Sequence, residues 1–265
     1  RVGRYTLGAM STLQSGKAEQ SMPVILVTGA ARRVGAEIAR TLHAAGACVA
    51  IHYHTAADEA KALAALLNGQ RTDSAAAFPA NLLDLNDLPT LITQVVDHFG
   101  RLDGLVNNAS TFYSTKVGAT NTAAWDDLMG TNLKAPLFLA QAAAPYLKRQ
   151  HGCIVNITDV HAERPLKGYA LYCTAKAGLL GLTRALAIEL GPEVRVNAVA
   201  PGAVVWPEQT DNFPPGERDA IIDHTLLKRV GSAADIARAV RFLVFDAPYV
   251  TGQTITVDGG RSAHL

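Results

Sequence analysis

The chain alternates short, unbroken apolar runs with segments of helical periodicity, and this alternation restricts its fold more than any other feature. Val24–Thr28 (VILVT), Cys48–Tyr53 (CVAIHY), Ala75–Ala80 (AAAFPA), Gly104–Ala109 (GLVNNA), Cys153–Thr158 (CIVNIT) and Val194–Ala200 (VRVNAVA) read as strands. Between them lie helical segments at Val34–Ala45, Ala56–Leu67, Leu88–Phe99, Thr122–Arg149 and Tyr169–Leu190. In the first, Val34, Ile38, Ala39, Leu42 and Ala45 share one face, and Gly46 ends the helix. Pro136 stands inside the Thr122–Arg149 segment and is expected to kink or break it. A helix at Ala233–Phe245 and a final strand and turn in TITVDGG complete the series. Strands that are apolar throughout, rather than at every second residue, belong to a sheet buried on both faces. Regular β-α alternation then predicts an α/β, doubly wound parallel sheet with helices on both faces.

Composition narrows the partners. Of 265 residues, 24 are basic and 23 acidic, a net charge of +1 that calls for neither nucleic acid nor an acidic membrane. The hydrophobic fraction of 49% is enough for a sizeable core. Cys48, Cys153 and Cys173 are far apart and lack the spacing of a disulfide framework or a metal site. No apolar run approaches the ~18 residues of a membrane span, and the polar first 22 residues carry no signal-peptide core. They are expected to be a disordered or expression-derived segment ahead of a single domain over 23–265, with the cytoplasm as its compartment. Gly202–Gly216, with prolines at 207, 214 and 215, is the longest stretch without a periodic pattern. A substrate loop is expected near 202–220, acting as a lid, with Trp206 as a candidate wall of the pocket.

TGAARRVG (Thr28–Gly35) follows the first strand and opens the first helix. A glycine turn in that place aims backbone N–H groups and a helix N-terminus at a pyrophosphate, so the fold expected is Rossmann-like. Arg33 stands where a middle glycine would, and its fork of donors suits phosphate. The second strand ends in His54 and Thr55 with no acid for a ribose hydroxyl; Asp58 is already in the next helix. His54, Thr55, Arg33 and Arg32 are candidates for a 2′-phosphate, which favours NADPH.

Tyr172 and Lys176 are four residues apart and share one helix face. An ammonium beside a phenol is expected to lower its pKa from ~10 and make it a usable proton donor or base. Tyr169 has no lysine at the equivalent position.

Together the glycine turn, NNAS (Asn107–Ser110), TNLKAP around Asn132, the Tyr172/Lys176 pair and Pro201–Gly202 resemble the short-chain dehydrogenase/reductase family, from Val24 to about Gly260. The resemblance implies an NADPH site including Gly29, Val34, Gly35, Asn81, Leu82, Asn108, Ala109, Ser110, Pro201, Gly202 and Val204. It implies that Asn132 supports Lys176 through a water. Asn81 replaces the family's aspartate after strand three, and an asparagine can still bond the adenine amino group. A homotetramer built on the helices near Thr122–Arg149 and Tyr169–Leu190 is implied as well. Within the family the likeness is to pteridine and dihydromonapterin reductases. It rests on Arg33, on HYH after strand two, on NNAS followed by TFY, and on Asp159, thirteen residues before Tyr172 where a serine is usual. By that likeness Phe112 stacks on a pterin, and Arg33 and Ser110 touch cofactor phosphate and pterin. Thr55 stands where those reductases often carry an arginine.

The chemistry of Asp159 agrees. Carbonyl reduction builds negative charge on oxygen, which a carboxylate would repel by several kcal/mol in a poorly solvated site. Reduction of a ring C=N instead needs a proton at nitrogen, which an acid coupled to Tyr172 can relay. An acid there also suits a helix N-cap, and Phe112 also suits core packing. The expected activity is NADPH-dependent reduction of a 7,8-dihydropterin, with dihydrofolate as a further substrate. The alternatives are a short-chain carbonyl reductase acting on a 3-oxoacyl thioester, and a non-catalytic NADP(H) sensor.

Overall fold

The computed structural model describes residues 22–204 and 215–263. Within it, β1 (Val24–Val27), β2 (Cys48–Tyr53), β3 (Ala75–Pro79), β4 (Gly104–Asn107), β5 (Cys153–Ile157), β6 (Arg195–Pro201) and β7 (Thr254–Val257) form one parallel sheet. Its order is β3-β2-β1-β4-β5-β6-β7. The helices are α1 (Arg33–Ala44), α2 (Ala57–Gln70), α3 (Asp87–Phe99), α4 (Thr122–Met129), α5 (Ala135–Arg149), α6 (Ala170–Leu190), α7 (Pro215–Asp223) and α8 (Ala233–Arg241).

The unbroken apolar strands are explained by the two cores. Ile25 and Val27 of β1 point into one cluster with Ile38, Leu42, Ile236 and Val240 of α1 and α8. Val24 and Leu26 point the other way, to Leu91, Val95, Leu139 and Leu147 of α3 and α5. All four residues of β1 are therefore buried, and a polar residue on either face would cost burial energy.

Strand order reverses between β1 and β4, and the turns beyond their C-terminal ends are fastened together there. The Thr28 hydroxyl accepts from the N–H groups of Asn108 (2.9 Å) and Ala109 (3.0 Å). The Asn108 amide donates to the carbonyls of Thr28 (2.8 Å) and Gly29 (3.2 Å). Gly35 is required by close approach: a Cβ there would lie 2.3 Å from the Gly29 carbonyl and 2.6 Å from Asn108 Nδ2. Arg33 holds a left-handed φ of +54°, which for a non-glycine residue costs on the order of 1–3 kcal/mol. The sequence tolerates that strain where glycine would relieve it.

Two expectations need correction. The Thr122–Arg149 segment breaks at a wide π turn, Gly130–Lys134, before Pro136 rather than at it. Pro136 lies in the first turn of α5, where a missing N–H is tolerated; it leaves the Asn132 carbonyl without its usual α-helical donor, next to the widened turn. Part of the expected 202–220 loop is helical: α7 begins at Pro215, which supplies the fixed φ of a first helical residue. Trp206 lies outside the described residues.

His52, given no part by its sequence position, ties β2 to the glycine turn. Its Nδ1 accepts from Gly29 N–H at 3.0 Å, so Nε2 carries the hydrogen and donates to the Ala80 carbonyl at 3.2 Å. Burial lowers its pKa to about 4 from 6.5. A depressed folded pKa means that the unfolded chain takes up the proton first. This part of the stability is complete above pH 6.5 and is lost as pH falls toward 4. In urea titrations across that range, His52→Gln should lack a pH-dependent loss of about 3 kcal/mol that the parent shows; parallel curves for the two proteins would exclude the linkage.

Candidate active site

Beyond the C-terminal ends of the strands lies a cavity of about 1040 Å³, at the upper end of the roughly 300–1,000 Å³ typical of ligand pockets. It runs from the glycine turn to the face of α6. Most of the expected site residues line it: Gly29, Arg32, Arg33, Val34, Gly35, His54, Asn81, Leu82, Asn108, Ala109, Ser110, Phe112, Asp159, Tyr172, Lys176, Pro201, Gly202 and Val204. Thr55 is exposed and lies off the wall, because β2 has ended and the chain turns outward into α2.

At the α6 end, the Tyr172 hydroxyl donates to Asp159 Oδ2 at 2.7 Å. The other carboxylate oxygen, Oδ1, accepts from His161 N–H at 2.8 Å and caps a short 3-10 turn, Val160–Ala162. The N-cap and the tyrosine contact thus coexist, one on each oxygen. Lys176 is 2% exposed, and its ammonium donates to the Ile157 carbonyl at 2.9 Å. Burial pulls its pKa down to about 8, while Asp159 works in the opposite direction.

Tyr172 does not follow the expected direction. Its pKa is pushed well above the ordinary value, first by burial and then by the charge and hydrogen bond of Asp159. Lys176 Nζ lies 5.7 Å from the phenol ring centroid, farther than the carboxylate that touches the hydroxyl. Asp159 therefore outweighs the lysine and holds Tyr172 protonated, as a donor.

Asn132, in the π turn, is buried. Its amide donates to the Thr111 (3.0 Å) and Leu128 (2.9 Å) carbonyls, and its Oδ1 accepts from Ser110 Oγ at 2.6 Å. These bonds anchor the loop after β4; none among the described residues reaches Lys176. Ser110 is therefore committed to Asn132, beside Tyr172. Phe112 stacks on Tyr169, with centroids 4.6 Å apart, and meets Tyr172 edge-on at 4.7 Å. Core packing and pocket lining are both served by this ring. Tyr169, with no lysine partner, positions Phe112.

At the other end, Arg32 is ion-paired with Glu59 of α2, so it reaches a phosphate only by exchanging that partner. Asn81 Oδ1 accepts from Leu83 N–H at 3.1 Å, which leaves a second lone pair and the amide N–H groups for a ligand. Sequence reasoning missed His161, Asp127, Leu166 and Arg261, which also line the cavity. Local periodicity carries no signal for them, since they come from a 3-10 turn, α4, a loop and the C-terminal turn.

A dinucleotide cradle at the switch point of a doubly wound sheet, joined to a Tyr-x-x-x-Lys pair, defines a nicotinamide-dependent reductase class. A family model described as enoyl-(acyl carrier protein) reductase matches residues 29–262. Pteridine reductase 1 of Leishmania tarentolae is 39% identical, covering 91% of this chain and 96% of its own. The 3-oxoacyl-(acyl-carrier-protein) reductase of Staphylococcus aureus is also 39% identical, over 89% and 96%. Nodulation protein G of a Rhizobium strain is 37% identical, over 89% and 95%. The chain belongs to the short-chain dehydrogenase/reductase family and is an oxidoreductase of it; the family uses NAD(P)H. Among the described residues no helix is long and apolar enough to cross a membrane.

Lys176 carries a buried charge whose depressed pKa marks a cost to the fold. Replacing it by a chain of similar volume should relieve that cost. Lys176→Met is expected to raise stability at pH 7 by about 1–2 kcal/mol in urea titrations while abolishing reductase turnover. A variant both less stable and still active would contradict this account.

Proposed function

We propose that this chain reduces a 7,8-dihydropterin, and dihydrofolate as a further substrate, to the tetrahydro form with NADPH. The observation that carries the reading is the 2.7 Å bond from the Tyr172 hydroxyl to Asp159. A carbonyl substrate needs donors around an oxygen that becomes negative. Here the Asp159 carboxyl group would face that oxygen, and the nearby Ser110 hydroxyl already donates to Asn132. A cyclic C=N asks for a proton at nitrogen, and its neighbouring ring N–H groups ask for an acceptor. Tyr172 and Asp159 offer both.

The cradle suits the cofactor. Gly35 leaves no room for a Cβ at the turn, Arg33 and His54 line the same end, and no acid follows β2 to select the unphosphorylated ribose. Bound there, NADPH would supply the hydride to the ring carbon next to the imine nitrogen. Tyr172 Oη holds the proton for the nitrogen. Losing it would place a phenolate against a carboxylate, which is unfavourable at that distance. The transfer is therefore coupled to Asp159, which is partly exposed to the cavity, so the replacement proton reaches the pair from that side. The Lys176 ammonium offsets the remaining negative charge. Phe112 presents an aromatic wall for a flat ring.

A 3-oxoacyl thioester reductase is the second reading, favoured by the equal identity of the staphylococcal relative. A sensor without turnover would not need the Tyr172/Lys176 pair. The homotetramer implied by the family is supported by apolar side chains exposed on the helices concerned: Trp125 (49%), Leu137 (38%) and Ile188 (82%). Three free, buried thiols suit a reducing compartment such as the cytoplasm.

NADPH oxidation measured with 7,8-dihydrobiopterin, with acetoacetyl thioester and with neither should show turnover with the pterin. Turnover with the thioester and none with any pterin would overturn the reading. Asp159→Ser should cut pterin kcat by about 10²-fold or more and raise thioester turnover; intact pterin reduction in that variant would remove the relay.

A further inference from the structure

We propose that Arg261 reads an anionic group on the substrate's side chain, remote from the ring that is reduced. This rests on the pteridine reading and deepens it. Arg261 stands on the turn after β7, and that turn is built rather than loose. The Asp258 carboxylate accepts from Gly260 N–H (2.8 Å), Ser262 N–H (2.7 Å) and the Ser262 hydroxyl (2.6 Å). Arg164 Nη2 donates to the Ser262 carbonyl at 3.1 Å, joining the turn to the segment that holds Asp159.

Arg261 lines the cavity, is partly buried, and among the described residues its guanidinium makes no hydrogen bond or ion pair. The cavity's other cations are engaged or lie elsewhere: Arg32 is on Glu59, Lys176 is on the Ile157 carbonyl, and Arg33 is in the glycine turn. The cavity's acids are engaged too. Asp159 serves Tyr172 and His161, and Asp127 is hydrogen-bonded by Tyr113. Among the described residues, an uncompensated guanidinium thus faces the substrate end. His161 is on the same wall, with Nδ1 bonded to the Arg164 carbonyl at 2.9 Å and Nε2 left for a ligand. A guanidinium fork pairs two-to-two with carboxylate or phosphate oxygens. For a pteridine substrate, the group that meets these requirements is a side-chain carboxylate, as in dihydrofolate.

The test is the ratio of kcat/KM for 7,8-dihydrofolate, whose side chain is a dicarboxylate, to that for 7,8-dihydrobiopterin, whose side chain is neutral. It is measured for the parent and for Arg261→Gln, Arg261→Glu and Arg261→Lys at low and high ionic strength. The ratio should fall at least tenfold in Arg261→Gln and further in Arg261→Glu. Arg261→Lys should recover most of it, and the change should lie in KM. In the parent the ratio should fall with salt. A ratio that stays within twofold across the three variants overturns the proposal. If the parent reduces thioesters and no pterin, the proposed function fails, and Arg261 is judged separately. The same variants are then compared on acetoacetyl-coenzyme A, which carries phosphates, and on its neutral N-acetylcysteamine analogue, with the same tenfold and twofold limits. Calorimetric binding of dihydrofolate and dihydrobiopterin to the NADP⁺ complex applies those limits to affinity, so the result does not depend on turnover.

Discussion

The Thr28 hydroxyl accepts two backbone N–H groups from the turn after β4, and the working end of the molecule depends on that junction. β1 and β4 are adjacent in the sheet but are separated by two β-α units in sequence. Their following turns diverge to opposite sides, and the crevice between them is the cavity. If Thr28 and Asn108 did not hold the two turns together, Gly29 would lose its close approach to Ala109 and the cradle would splay. His52 supports the same turn from β2. Three strands therefore fix one glycine turn, and a non-glycine residue with left-handed backbone is held in it at Arg33.

Much of this was legible from residue order. The strands could be read because burial on both faces leaves no polar alternation, and Ile25/Val27 against Val24/Leu26 shows why. The Tyr172/Lys176 pair was legible because helical spacing alone places both on one face. Other features were hidden because they depend on distances that sequence does not encode. The break at Gly130–Lys134 reflects the hydrogen-bond register before a proline, and nothing in TNLKAP distinguishes it from a kink at Pro136. His52 sits in a strand where alternation suggests an orientation but not a partner; its partner is the backbone of a turn twenty-three residues earlier. Glu59 removes Arg32 from the list of free cations by a contact between two helix beginnings. Arg261 is remote in sequence from every motif, and only the closure of β7 brings it to the cavity.

The electrostatics of the site correct the simplest account of a Tyr-x-x-x-Lys pair. In that account the lysine makes the phenol acidic. Here the carboxylate touches the hydroxyl while the ammonium sits on the Ile157 carbonyl. Contact beats proximity in a site of low polarity, because Coulomb energy falls with distance and burial magnifies it. Burial and Asp159 together hold Tyr172 as a donor, while burial brings Lys176 close to losing its own proton and Asp159 resists that loss.

The same inequality organises the two ends of the cavity. Among the described residues, each cation inside it meets an acid, a carbonyl or the glycine turn, except the one on the C-terminal turn. Among the described residues, each acid is taken by a hydroxyl or a backbone N–H. The anionic group proposed for Arg261 would complete that charge, because a partly buried guanidinium without a partner costs free energy. Arg33 carries a comparable cost in backbone strain at the opposite end. Both residues are unfavourable for the empty protein, and both lie on the wall of one cavity. Their joint placement is easier to explain by what fills that cavity than by what holds the fold together.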